Sequence, residues 1–437
     1  MAGPAGAGSR ISLEAREGLP GISKADVRQL QFLVIAVFFL FGGITNINDV
    51  LIPKLKGLYQ LSHMQANLVQ FAFFTSYAIF SIPAGIVMKK LGYVRGVVLG
   101  FGIMALACLL FLPAAYSGLY VSFLVALFMI GGGITLLQVA VNPLILQLGP
   151  AATAHSRLTF AQLFNSIGVF VMVYGGAELI LGDSSAIDPA TLSGEALQAF
   201  RVQETTIIGQ AYLGLAVVLT AIAAFFWLWR KALDGSKVED VRLEGTFALL
   251  RRPRLAFGVL CIFMYVGAEV GIGSNMVAYL GDDRVLGLSQ IEAGRLLALY
   301  WLGALIGRLV GTVILRLARP ELVLICFAAA AIGLIGTSAL TSGALAAWTL
   351  IAVGLANSIM FPTIFSLATE GMTVEAPQAS GLLCTAIVGG AIVPVVIGYV
   401  ADVGGLALAM TVPIICYGVI AAFGVFALRQ RGELGTA

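Results

Sequence analysis

The chain has 437 residues, 59% of them hydrophobic and 11% charged, with a mean hydropathy of +0.99 and a formal charge of +3. Soluble domains carry about 25% charged residues, so this composition excludes an aqueous globular core and fits a chain dissolved in lipid. Basic residues too few and too scattered to form a phosphate-binding face exclude a nucleic-acid partner.

The first 25 residues are rich in Gly and Ala with scattered charges and lack the apolar core of a cleaved leader. They read as the larger part of a tail over 1–29. Twelve apolar stretches follow, near 30–53, 65–88, 94–115, 118–148, 157–182, 207–229, 254–279, 292–315, 321–340, 343–369, 380–403 and 406–428. Crossing roughly 30 Å of hydrocarbon takes about 20 apolar residues, so each is long enough to span a bilayer.

The first stretch ends on Thr45-Asn46-Ile47-Asn48-Asp49. A carboxylate in mid-bilayer costs about 2.5–3.5 kcal/mol on insertion scales, and such a residue marks a path for an ion, a proton or a polar solute. Thr45 and Asn46 precede Asp49 by four and three residues, hence on its helical face. The fourth stretch carries Gln138 and Asn142 four apart, then Pro143; the fifth carries Gln162 and Asn165 three apart. An amide both donates and accepts, so these pairs suit a cavity that grips hydroxyl groups. The alternative is interhelical adhesion, worth about 0.6 kcal/mol per contact.

The loop 183–206 is polar and reads as a surface excursion. A basic connection over 230–253 then divides the chain into bundles 30–229 and 254–428, with a short tail 429–437. The seventh stretch holds Glu269 in a glycine-rich context, either a second carboxylate of the path or the counter-charge of Arg308 in the eighth. Asn275, Trp301 and Asn357 are further candidate substrate contacts. Pro362 and Pro394 are expected to kink the tenth and eleventh stretches, helped by Gly389 and Gly390.

Lys89, Lys90, Arg95, Arg157, Arg316 and Arg319, with the central connection and both ends, put most of the positive charge on one side. By the positive-inside rule that side is cytoplasmic, and both termini with it. The five cysteines all fall within apolar stretches and read as packing residues. No nucleophile–base pattern, metal-ligand spacing or phosphate loop appears, which argues against an enzyme and against nucleotide-driven transport. The short tails argue against a sensor built on a transporter scaffold.

The twelve stretches, split six and six with basic turns repeated after the second and eighth, resemble the major facilitator superfamily, whose two bundles rock about a site at mid-membrane. Within it, Phe38-Phe39-Leu40-Phe41-Gly42 leading to Asn48-Asp49, Ser81 to Leu91, Val141-Asn142-Pro143, Arg157 to Ser166, Phe361 to Leu367 and Val388 to Asp402 resemble the bacterial fucose permease and glucose/galactose transporter group. The resemblance implies an all-α membrane protein of the bacterial inner membrane, a monomer, that couples hexose uptake to a cation. It implies sugar contacts at Asn46, Gln162 and Asn165, with Gln138, Asn142, Asn275, Trp301 and Asn357 as further candidates, and cation handling at Asp49. Thr45, Asn48 and Glu269 are the candidate partners of Asp49 in that coupling. The chain departs from the fucose permeases at Gln138, where they carry glutamate; an amide cannot exchange a proton. That departure, together with the Gly267-Ala268-Glu269-Val270 stretch, which resembles the glucose/galactose branch with its sodium-coupled members, favours sodium, held at Asp49, over a proton, and glucose or galactose over fucose. Proton-coupled uptake of fucose or another hexose, and a facilitative uniporter, stay open, and no organic cofactor is expected.

Overall fold

The computed structural model describes the backbone of residues 24–60, 63–150, 153–181, 192–229, 245–372 and 375–435; the side chains of 46–50 are among those outside the described residues. The chain is helical throughout these segments. The first bundle comprises α1 (Lys24–Tyr59), α2 (His63–Leu91), α3 (Tyr93–Leu109) with its short continuation α4 (Phe111–Ser117), α5 (Tyr120–Gln147), α6 (Ala154–Leu181) and α7 (Gly194–Trp229). The second comprises α8 (Pro253–Gly281), α9 (Gln290–Leu317), α10 (Pro320–Leu340), α11 (Gly343–Asn357) with α12 (Met360–Ala368), α13 (Ala376–Thr385) with α14 (Gly389–Ala409), and α15 (Thr411–Gly435). Counting each broken pair once gives twelve membrane-spanning units. Among the described residues, eleven are long and apolar enough to cross a bilayer outright. The twelfth, α6, is the unit that carries Gln162 and Asn165.

Local chemistry sets the ends. Pro253 opens α8, where its missing N–H costs nothing. Ser289 and Glu292 form a reciprocal capping box at the head of α9, the Ser289 hydroxyl accepting from the Glu292 N–H. At its far end α15 runs past the expected boundary of 428 because Arg431 reaches Glu321 at the start of α10, 2.9 Å away.

The loop expected over 183–206 is shorter than its polarity suggested. Helix α7 already begins at Gly194, thirteen residues before the apolar stretch opens at 207. The polar outer turns of α7 lie against the ends of other helices. Arg201 donates from Nε to the Leu58 carbonyl (3.1 Å) and sits over the Tyr59 ring, and the buried Thr205 hydroxyl lies 3.0 Å from the Ala115 carbonyl.

Two breaks in the second bundle follow from proline and glycine. Between α11 and α12 the helix is interrupted at Ser358 and Ile359. Pro362, four residues on, has no N–H to offer the Ser358 carbonyl. Between α13 and α14 the chain tightens to a short 3-10 turn over Ala386–Val388. There a Cβ on Gly389 would lie 2.0 Å from the Phe263 carbonyl of α8, so only glycine permits the approach. Four of the five cysteines are buried and Cys326 is exposed; all are free thiols.

The bundles press together at the end that carries the start of α1, the start of α8 and the end of α15, with α2 against α13 and α6 against α9. Gly85 lies against the Pro377 carbonyl and Gly381 against that of Ser81. Hydrogen bonds cross the seam from His155 Nδ1 to the Ser366 hydroxyl, from the Ser156 hydroxyl to the Thr312 carbonyl (2.8 Å), and from Arg316 Nε to the Ser156 hydroxyl (3.0 Å). Ion pairs fix the same end of the second bundle, Arg252 with Glu375 (2.7 Å) and Arg254 with Glu370.

Candidate functional site

Asn46, Asn48 and Asp49 lie within the unbroken helix α1, but their side chains are outside the described residues. Thr45, one turn before Asp49, donates its hydroxyl to the Phe41 carbonyl of its own helix (2.7 Å). Such back-bonding satisfies a hydroxyl in a low-dielectric interior and leaves its lone pairs unspent.

The amides of the first bundle fall into three environments. Gln138 on α5 keeps part of its surface open and donates from Nε2 to the Tyr77 hydroxyl on α2 (2.9 Å). Its carbonyl oxygen is left for another partner. Asn165 on α6 donates to the Phe38 carbonyl of α1 (3.3 Å), at a crossing where a Cβ on Gly168 would lie 1.9 Å from the Phe39 carbonyl. This amide ties two helices together as well as lining their groove. Asn142 on α5 is fully buried; its amide lies against the Cys384 thiol of α13 and has no oxygen or nitrogen partner. Gln162 is nearly buried at 7% exposure, and its main-chain carbonyl is 3.4 Å from Nη1 of Arg308.

Glu269 holds the centre of the second bundle. It lies deep in the chain yet keeps part of its surface accessible. Its carboxylate accepts from the Tyr265 hydroxyl (2.7 Å). Of the two alternatives read from the sequence, a fixed ion pair with Arg308 is not what the structure holds. Arg308 instead donates from Nε to the Ser358 carbonyl (3.1 Å) and from Nη1 to the Ser166 hydroxyl across the seam. The carbonyl orphaned by Pro362 thereby finds its donor. Among the described residues no ion pair involves Glu269.

Asn357, expected to touch substrate, is sealed from it. It is fully buried, donates from Nδ2 to the Tyr300 hydroxyl (2.7 Å) and accepts at Oδ1 from the Tyr417 hydroxyl (2.5 Å). Its amide braces the end of α11 at the break. Asn275 donates to the Gly271 carbonyl one turn back on α8 (2.8 Å). Trp301 is partly exposed and meets the Tyr300 ring edge-on, centroids 5.1 Å apart. Tyr77, Tyr265, Ser166 and the carbonyl-binding role of Arg308 are site features that sequence reasoning missed. Tyr265 stands four residues from Glu269, a spacing that signals the contact.

A sequence profile of the Major Facilitator Superfamily matches residues 33–394. The chain belongs to the major facilitator superfamily. Within it the chain belongs to the group of fucose permeases and glucose/galactose transporters. A glucose/galactose transporter of Brucella abortus is 44% identical over 397 residues, covering 90% of this chain and 93% of that one. An L-fucose-proton symporter of Escherichia coli is 33% identical over 406 residues, covering 90% and 92%. The crystal structure of the facilitator FucP in its outward conformation superposes with a TM-score of 0.83 at 32% identity, over 92% of this chain and 99% of that one. This facilitator is therefore a multi-pass membrane transporter and not an enzyme. The amides of α5 and α6 and the acid of α8 stand on facing bundles, the arrangement that lets one site serve two sides of a membrane in turn.

Proposed function

We propose that this facilitator takes up a hexose of the glucose/galactose class by cation-coupled symport, with the proton as coupling ion. The observation that carries the reading is Glu269, a partly accessible carboxylate within the second bundle, held by one hydroxyl donor and by no ion pair among the described residues. A carboxylate so placed takes up and gives back a proton without breaking a structural pair. Gln138 and Gln162 supply amide contacts to sugar hydroxyls from the facing bundle, and Asn165 and Asn46 are further candidates for them. Trp301 offers a flat apolar face of the kind a pyranose ring covers. Asp49 on α1 is the second carboxylate of the pathway. The name of the Brucella abortus relative supports the substrate class, and that of the Escherichia coli protein supports the proton.

We place the chain in the bacterial inner membrane as a monomer with both termini in the cytoplasm. The basic residues at the closed end support that orientation, and the site then faces outward in this structure.

Sodium as the coupling ion is the second reading, and Gln138 favours it: an amide oxygen ligates sodium but does not titrate. Asp49, Asn48 and Thr45 would complete such a site. Proteoliposomes loaded by an imposed gradient separate the readings. Proton-driven accumulation of glucose or galactose that is lost in Glu269→Gln and in Asp49→Asn supports the first. Accumulation driven by sodium alone, and untouched by Glu269→Gln, replaces it with the second.

A further inference from the structure

Arg308 does two things at once in the closed seam. On its own bundle it satisfies the Ser358 carbonyl at the α11–α12 break (3.1 Å), which Pro362 leaves without a helical donor. Across the seam its Nη1 reaches the Ser166 hydroxyl and, at 3.4 Å, the Gln162 carbonyl. The second set of partners belongs to α6, the first to the bundle that moves with Arg308. Any motion that draws α6 from α9 strips Nη1 of its acceptors while Nε keeps Ser358.

A guanidinium with unpaired donors in an apolar interior is costly and takes the nearest acceptor. The acids described toward the closed end of the second bundle are already engaged, Glu321 by Arg431, Glu370 by Arg254 and Glu375 by Arg252. Glu269 has no such partner among the described residues and travels on the same bundle, and its donor Tyr265 also reaches the Asn357 carbonyl (3.1 Å), next to the Ser358 carbonyl that Arg308 holds.

We propose that Arg308 is the positioning residue that links the seam to Glu269: with the seam closed it is held by Ser166 and Gln162, and when the seam parts it pairs with the Glu269 carboxylate. The inference rests on Glu269 as the proton carrier. While the seam is closed, Glu269 accepts a proton from the open side. When the seam parts, the arriving cation favours the carboxylate over the acid, and the proton leaves Glu269 for water on the newly opened side. The empty transporter then returns with its buried acid neutralised as an ion pair. Closing the seam recaptures Arg308 and readies Glu269 for the next proton.

The test compares net downhill uptake of hexose with equilibrium exchange in the same proteoliposomes. Exchange runs with the proton bound and does not need its release, so the ratio of the two cancels the amount of folded protein. Arg308→Gln is expected to lower that ratio at least tenfold. Adding Glu269→Gln removes the acid that needs the partner, and the double variant is expected to recover the ratio to within about threefold of Glu269→Gln alone. Arg308→Lys keeps a cation for Glu269 and carries the test if Arg308→Gln does not reach the membrane; its ratio is expected within about threefold of the parent. An unchanged ratio in Arg308→Gln, no recovery in the double variant, or a tenfold fall in Arg308→Lys overturns the proposal. Failure of the underlying reading shows differently: Glu269→Gln alone would then still accumulate hexose on a proton gradient.

Discussion

At the scale of single residues, the polar groups of this interior sort by whether their hydrogen-bonding capacity is used up. Gln138 and Glu269 each have one partner and some open surface, whereas Asn357 has both ends of its amide taken and none. A buried group stripped of its partner costs about 1–3 kcal/mol. Asn357→Ala would strip both Tyr300 and Tyr417, so a loss of about 2–4 kcal/mol is expected, read as a lower thermal-unfolding midpoint in detergent. The KM for hexose of the surviving protein should not change. A raised KM with an unchanged midpoint would return Asn357 to the sugar. The sequence shows why such residues mislead: an asparagine in an apolar run looks the same whether it faces a cavity or a tyrosine sixty residues away. Gln138 and Glu269 were legible as candidates because polarity in a membrane span is itself the signal. Their partners were not, except Tyr265, which shares a helix face with the acid it serves.

At the scale of helices, hydropathy located the spans because lipid demands about 20 apolar residues per crossing, and Pro362 announced a break. What hydropathy missed is where a helix outlasts its apolar stretch. The outer turns of α7 stay helical because Arg201 and Thr205 are anchored on the ends of other helices, contacts that leave no trace in local composition. The break before α12 yields a test of its own. Proline inside a helix costs about 3 kcal/mol, partly through the hydrogen bond it removes. Pro362→Ala gives the Ser358 carbonyl an N–H four residues on and puts it in competition with Arg308. The variant is expected to melt no lower than the parent yet to exchange hexose at least several-fold more slowly, because a continuous helix replaces a bend. Unchanged exchange, measured beside the melting curve, would show that the break does not take part in rocking.

For the whole molecule, the balance between its two arrangements is set at the seam, and the seam carries groups that oppose closure, Asn142 among them. His155, Ser156, Arg308 and Arg316 all gain partners by closing. Asn142 does not: in the closed seam its amide is buried against a thiol, a weak hydrogen-bonding group, with no stronger partner. If opening wets or otherwise satisfies that amide, its desolvation of about 1–3 kcal/mol works against closure alone. A transporter needs this, because a seam with every group satisfied would hold one state and cycle slowly. Asn142→Val is close in size and removes both polar ends, so it should favour the closed seam by about tenfold or more, each tenfold being about 1.4 kcal/mol. Spin labels at exposed positions 90 and 319, at the closed end of either bundle, report the balance as a distance distribution. In Asn142→Val the short distance should gain population and hexose exchange should slow. A gain in the long distance would mean that the amide stabilises the closed seam, and that the Cys384 contact is worth more than the water Asn142 gives up.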